Sequence, residues 1–168
     1  SPELDASGRV VGFIAAITDI TERRRIEKER ARLTAILENS SDLVSTSTLD
    51  RRVSYMNAAG RRMVGWDEFE DARTHVIPEL HPDWATQVIC NEGIPAALEK
   101  GVWEGETALL TRDGREIPVS QTIMAHRLPD GTLEYISTIM RDITERKRAE
   151  EERARLTAII ENTSDLVS

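Results

Sequence analysis

A run of 27 residues occurs twice in this chain: Asp19 to Ser45 returns as Asp142 to Ser168 with 22 positions identical. The differences are Arg24/Lys147, Ile26/Ala149, Lys28/Glu151, Leu37/Ile160 and Ser40/Thr163. The offset, 142 − 19 = 123 residues, is the length of a domain and not of a supersecondary repeat. The two copies are therefore expected to be equivalent joints in an array of similar domains. One complete unit lies between them, flanked by the end of the unit before and the beginning of the next. The first residues are Ser-Pro with no initiator Met, so the chain reads as excised from a longer protein.

A chain of 168 residues can hold one good core and a small second element. With 39% hydrophobic and 31% charged residues it fits a globular protein carrying an exposed, charged helix. No apolar run approaches the ~20 residues of a transmembrane helix, so no membrane contact is expected. The net charge of −8, with Lys and Arg interleaved among the acids, argues against a nucleic-acid surface. Cys90 is the single cysteine, which leaves neither a disulfide framework nor a cysteine-rich metal site within one chain. A cytoplasmic setting fits best.

Residues 7–18 read as a turn followed by a β-branched strand. The 123-residue offset lays this stretch over Gly131 to Arg141, so residues 1–20 are expected to be the last strand of a preceding unit, mobile or borrowing an edge elsewhere. Residues 21–39 lack Gly and Pro and predict a linker helix, with Thr21 able to cap it. Ile26, Leu33, Ile36 and Leu37 form one stripe, which the second copy repeats as Ala149, Leu156, Ile159 and Ile160. Two readings stay open: an amphipathic helix lying on its own domain, or a short parallel coiled coil between two chains, interrupted at Glu29.

Asn39-Ser-Ser-Asp stops that helix. Leu43 to Leu49 and Arg52 to Met56 predict two strands around an Asp50-Arg51 turn. Asn57 can cap a short helix from Ala58 to Val64 that stops at Gly65. Short helical turns over Asp67 to Leu80 lead to His81-Pro82-Asp83, which opens a longer helix ending at Gly101. Pro95 should kink or split it near Gly93. Strands follow at Val102 to Thr111, Glu116 to Ala125 and Thr132 to Ile143, joined by Arg112-Asp-Gly-Arg115 and Pro129-Asp-Gly131 turns. The result is an α+β domain with one antiparallel sheet and helices on one face.

Five motifs in order resemble those of the PAS domain, a sensor module of signalling proteins. They are Tyr55-Met-Asn-Ala-Ala59 with Gly65-Trp66, His81-Pro-Asp83, Trp103-Glu-Gly-Glu106, Arg112-Asp-Gly-Arg-Glu-Ile-Pro-Val119 and Asp142-Ile-Thr-Glu-Arg146. The resemblance implies a five-stranded antiparallel sheet and a complete unit at residues 40–144. Linker helices at 21–39 and 145–162 flank it, and 163–168 begin a following unit. It also implies a non-catalytic module from a multi-PAS bacterial sensory protein of the two-component kind. Such a module would dimerise in parallel through its helices and relay a signal from its core to a downstream histidine kinase or diguanylate cyclase. The alternative is a passive PAS spacer with no ligand. In the family the strand-to-helix junction couples sheet to helix. Asp142 and Thr144 match it here, as do Asp19 and Thr21, and side chains of these types can fix the helix's departure angle.

The resemblance also allows cofactors to be tested. Flavin-based light sensors of this fold use an Asn-Cys-Arg motif, whereas Cys90 lies in Val-Ile-Cys-Asn and reads as a core residue. Haem-binding members use a His in the long helix, and Asp83 to Lys100 contains none. Neither haem nor a covalent flavin is expected. His75, His81 and His126 are too scattered for a metal site, and His81 reads as a helix-entry residue bonding locally. Glu104 and Glu106 share a strand face but have no partner base, so they read as surface or structural groups, with Glu106 the more tied down. Of Trp66, Trp84 and Trp103, at least two should be core. No phosphate loop, nucleophile elbow or kinase signature occurs, so no catalytic residue is expected. Thr107, Gln121, Thr122 and Thr138 would favour a bound ligand if they point inward, whereas an inward face wholly of Val, Ile, Leu and Met would mean a filled, dry core.

Overall fold

The structure is a computed structural model that describes residues 6–8 and 11–164. The chain divides into two compact units, Ser1–Asn39 and Ser40–Ser168. Among the described residues the first holds one helix, α1 (Val11–Glu38), closed at its end by the Asn39 side-chain amide donating to the Ala35 carbonyl at 2.7 Å. This corrects the expectation for residues 7–18: from Val11 the chain is helical, not extended. A strand without a sheet leaves its N–H and C=O groups unpaired, while a helix satisfies them within the segment. Thr21 accordingly lies inside the helix and does not begin it. Ile26, Leu33, Ile36 and Leu37 are all exposed along α1.

The second unit begins with β1 (Leu43–Ser47), β2 (Val53–Met56) and α2 (Ala58–Val64), as the alternation and the Asn57 cap predict. Asn57 is fully buried, and Oδ1 accepts both the Gly60 amide of α2 and the Val44 amide of β1, each at 3.0 Å. One side chain thus starts a helix and pins it to the sheet. Two 3-10 turns, Ala72–Thr74 and Ile77–Leu80, lead to α3 (Asp83–Val88), a π turn (Ile89–Gly93) and α4 (Ile94–Lys100). Pro95 explains the π turn. Its ring and missing N–H cannot fit a regular helix, and widening the preceding turn accommodates both without ending the rod. The expected split is therefore a local change of pitch. Gly101, at φ 89°, takes the left-handed conformation that stops α4.

Three long strands follow, β3 (Val102–Leu110), β4 (Glu116–Arg127) and β5 (Leu133–Asp142), and then α5 (Thr144–Ser164). The five strands form one antiparallel sheet in the order β2-β1-β5-β4-β3. Its inner face packs under α2, α3 and α4. Leu43, Met56, Val64, Leu109, Val119 and Met140 fill one end of the core, and Ile89, Ala97, Ile123 and Ile136 the other. Trp66 and Trp103 pack against these two clusters, while Trp84 is half exposed, as two core tryptophans of three had suggested. The segment expected to open a following unit, 163–168, is helical through Ser164, and the remainder lies outside the described residues.

Candidate functional site

Two places in the second unit bring chemistry-bearing residues together: the core under the helices, and the junction where β5 becomes α5. The core holds a cavity of about 30 Å³ between the sheet and the helical layer. Leu43, Met56, Ile89, Ile94, Ile123 and Met140 are among the apolar residues of its wall, with Ser45, Ser47, His81, Gln121 and Thr138 as the polar part. That is room for about two water molecules, so the core is close to full.

The polar wall is organised by strand register. Alternation along β3, β4 and β5 turns Thr107, Gln121 and Thr138 inward, while Thr122, next to Gln121, faces the other way. Thr107 Oγ1 donates to Gln121 Oε1 at 2.7 Å, and Gln121 Nε2 donates to Thr138 Oγ1 at 3.2 Å. Thr138 Oγ1 in turn donates to the Thr122 carbonyl at 3.1 Å. A hydrogen-bond chain therefore crosses three strands under the core, with Thr107 and Gln121 each only 2% exposed. Three of the four polar residues singled out in the sequence thus join one network, and it satisfies itself.

His81 is 3% exposed and not bonded locally as expected. Its Nδ1 donates to the carbonyl of Ala108, 27 residues away on β3, at 2.7 Å. Burial pushes its pKa down to about 4, against a smaller upward pull from that hydrogen bond. The ring is neutral at pH 7 and ties the start of α3 to the edge strand. Cys90 lies on the π turn, half-buried, as its sequence setting suggests. Among the described residues no group of three or more His, Cys, Asp or Glu side chains could hold a metal ion.

At the junction, Ile143 does two jobs. Its N–H donates to the Pro118 carbonyl at 3.0 Å, continuing the β4–β5 ladder, and its carbonyl accepts the Lys147 amide at 2.9 Å, opening α5. Its side chain is buried at 5% exposure. Asp142 Oδ1 accepts the Thr144 amide at 2.7 Å and so caps the helix. Arg141, just before, pairs with Asp42 at the start of β1 (2.8 Å). Glu106 of β3 receives Arg146 and also Lys147, the latter at 2.5 Å. Hydrogen bonds from these two cations, Lys147's first, hold the Glu106 carboxyl below its ordinary range. The structure thus brings Asp142 and Thr144 together and adds Glu106, whose partners lie 40 and 41 positions away. Asp19 falls within α1, and the side chains of Asp19 and Thr21 lie outside the described residues. Leu156, Ile159 and Ile160 are exposed along α5, matching the stripe on α1. Among the described residues no helix is long and apolar enough to cross a membrane.

Comparison with known proteins agrees with this geometry. A family model described as the PAS fold matches residues 37–148. The PAS domain of a protein from Colwellia psychrerythraea superposes over 71% of this chain and 98% of its own, at 24% identity and a TM-score of 0.63. The PAS domain of an HTR-like protein from Haloarcula marismortui covers 73% of this chain and 98% of its own, at 24% identity and 0.57. A PAS domain from a two-component sensor histidine kinase covers 69% and 97%, at 12% identity and 0.57. No curated protein matches the sequence.

Proposed function

The chain belongs to the PAS family through residues 37–148, and we propose that this domain is a non-catalytic sensory relay in a bacterial signalling protein. A rearrangement of the core shifts the ends of β4 and β5, and Asp142 and Thr144 pass the shift to the departure angle of α5. Asp19 and Thr21, helical in this chain, would do the same only where the sheet of a preceding unit ends at them. The observation that carries this reading is Ile143, whose N–H closes the sheet while its carbonyl opens the helix. The sheet cannot move there without moving the helix.

The relay works as a parallel homodimer, its helices meeting along Ile26, Leu33 and Ile36, with Leu37, and along Leu156, Ile159 and Ile160. The exposure of these apolar side chains supports that pairing. Downstream lies an output domain. Since solved neighbours include a PAS domain from a sensor histidine kinase, a kinase is the first choice and a diguanylate cyclase the second. The module sits in the cytoplasm beside further PAS units, and works without haem or a covalent flavin adduct. The absence of a histidine between Asp83 and Lys100 and of an Asn-Cys-Arg motif supports that.

One observation favours the passive alternative: a cavity of about 30 Å³ leaves little room beyond about two water molecules. Native mass spectrometry with an absorption spectrum separates the two. A stoichiometric extra mass establishes a ligand, and a colourless apo chain favours the spacer. The relay itself is tested by Asp142→Ala and Thr144→Ala in the full protein. Both should leave folding nearly intact while uncoupling output, and unchanged regulation in both would refute the relay.

A further inference from the structure

We propose that Glu106 is the positioning residue that makes β3 a lever between the core and α5, a role that rests on the relay reading above. The two faces of β3 do different work. On the inner face, Trp103 packs into the core cluster of Ile89, Ala97, Ile123 and Ile136. It lies so close to the π turn that a Cβ on Gly93 would fall 3.2 Å from its Cε3. Its indole also lies across Gly105, where a Cβ would stand 2.4 Å from Cζ2, so only glycine fits there. Any change in pitch of the π turn therefore presses on Trp103 and, through it, on β3.

On the outer face, one residue beyond Gly105, Glu106 holds the first turn of α5. Oε1 takes Arg146 and Oε2 takes Lys147. A single ion pair would fix only a distance. Consecutive helical residues point about 100° apart, so two pairs from one carboxylate fix the rotation of α5 about its own axis as well. The first copy of the joint shows what the arginine does otherwise. Arg23, the counterpart of Arg146, pairs with Glu27 one turn along its own helix at 3.1 Å. In α5 the equivalent pair, Arg146 with Glu150, is stretched to 3.9 Å. Arg146 has turned toward Glu106. The Trp-x-Gly-Glu order then has a mechanical sense, with Trp103 as input, Gly105 as the clearance it needs and Glu106 as output.

The test is pulsed dipolar spectroscopy on the whole chain carrying Cys90→Ser and nitroxides at Glu134→Cys on β5 and Arg155→Cys on α5, diluted with unlabelled chain. Glu106→Gln should broaden the distance distribution at least twofold, and Arg146→Gln with Lys147→Gln should reproduce this from the helix side. Glu106→Asp should fall between. The reversed set Glu106→Lys, Arg146→Glu, Lys147→Glu should restore the narrow distribution, which a merely structural loss would not allow. An unchanged width in Glu106→Gln, or no recovery in the reversed set, overturns the proposal. Asp142→Ala in the same labelled chain separates the two ideas. If it alters the distribution while Glu106→Gln does not, the lever falls and the relay stands; if neither does, both fall.

Discussion

The joint exists twice with almost the same residues and in two different structures. At the second copy Asp142 ends a strand, Ile143 bridges and the helix begins at Thr144. At the first, the backbone of Asp19, Ile20 and Thr21 is helical and belongs to a helix that began at Val11. The residues Asp-Ile-Thr-Glu-Arg are the same in both. What differs is the sheet. Pro118 offers its carbonyl to Ile143, β4 pairs with β5 up to Asp142, and Glu106 receives the cations of the following turn. The strand-to-helix boundary at Asp142 thus depends on the sheet that holds it.

Acid should separate the two regions most widely. His81 carries a folded pKa of about 4 against an ordinary value of 6.5, so the unfolded chain binds the proton first. Its contribution is complete above pH 6.5 and is lost as pH falls toward 4. That depression corresponds to roughly 3 kcal/mol. Urea midpoints of wild type and His81→Asn across that window should show the steeper slope in wild type, the carboxylates such as Glu106 contributing equally to both. A common slope would remove His81 as the cause. Helix α1, whose described side chains from Glu22 to Leu37 are exposed, should not share it.

Removing the buried anchor comes next. Ile143→Ala should cost the domain about 2 kcal/mol in chemical denaturation, toward the low end for a core isoleucine because it sits at the rim of the sheet. The exposed Ile26→Ala should change the monomer's stability by less than about 0.5 kcal/mol. Equal effects would mean that the exit is not anchored as described.

The smallest effects carry opposite signs, which makes them informative. Asp142→Ala loses a helix cap and should destabilise by about 1 kcal/mol. Asp19→Ala replaces a poor helix former within a helix and should raise helicity, worth a few tenths of a kcal/mol. Circular dichroism and melting of the paired variants read both. The same sign in both would contradict the different settings of the two joints.

Much of the second unit was legible in the sequence because its signals are local. Alternation placed β1 to β5 within a residue or two, Asn57 announced α2, and Gly65 and Gly101 marked helix stops. Each needs only a few neighbouring residues to act. The site was less legible because its bonds span the fold. Nothing near His81 points to the Ala108 carbonyl, and nothing near Glu106 points to Arg146 and Lys147. Strand alternation says that Thr107 and Gln121 can face one way, but only the β3–β4 register places Gln121 opposite Gly105, two positions from Thr107 and within its reach.

The sequence by itself therefore determined the family, the order of elements within the second unit, the apolar stripe on each helix and the duplication of the joint. These follow from periodicity, caps and turn residues, which act over one to four positions. The tertiary structure alone decided where a helix starts when the same residues could begin or continue it, which polar groups meet under the core, and that one carboxylate on β3 grips α5. The physical reason is common to all three. A backbone or side-chain polar group takes the best partner within reach, and what lies within reach is set by strands brought together from distant parts of the chain.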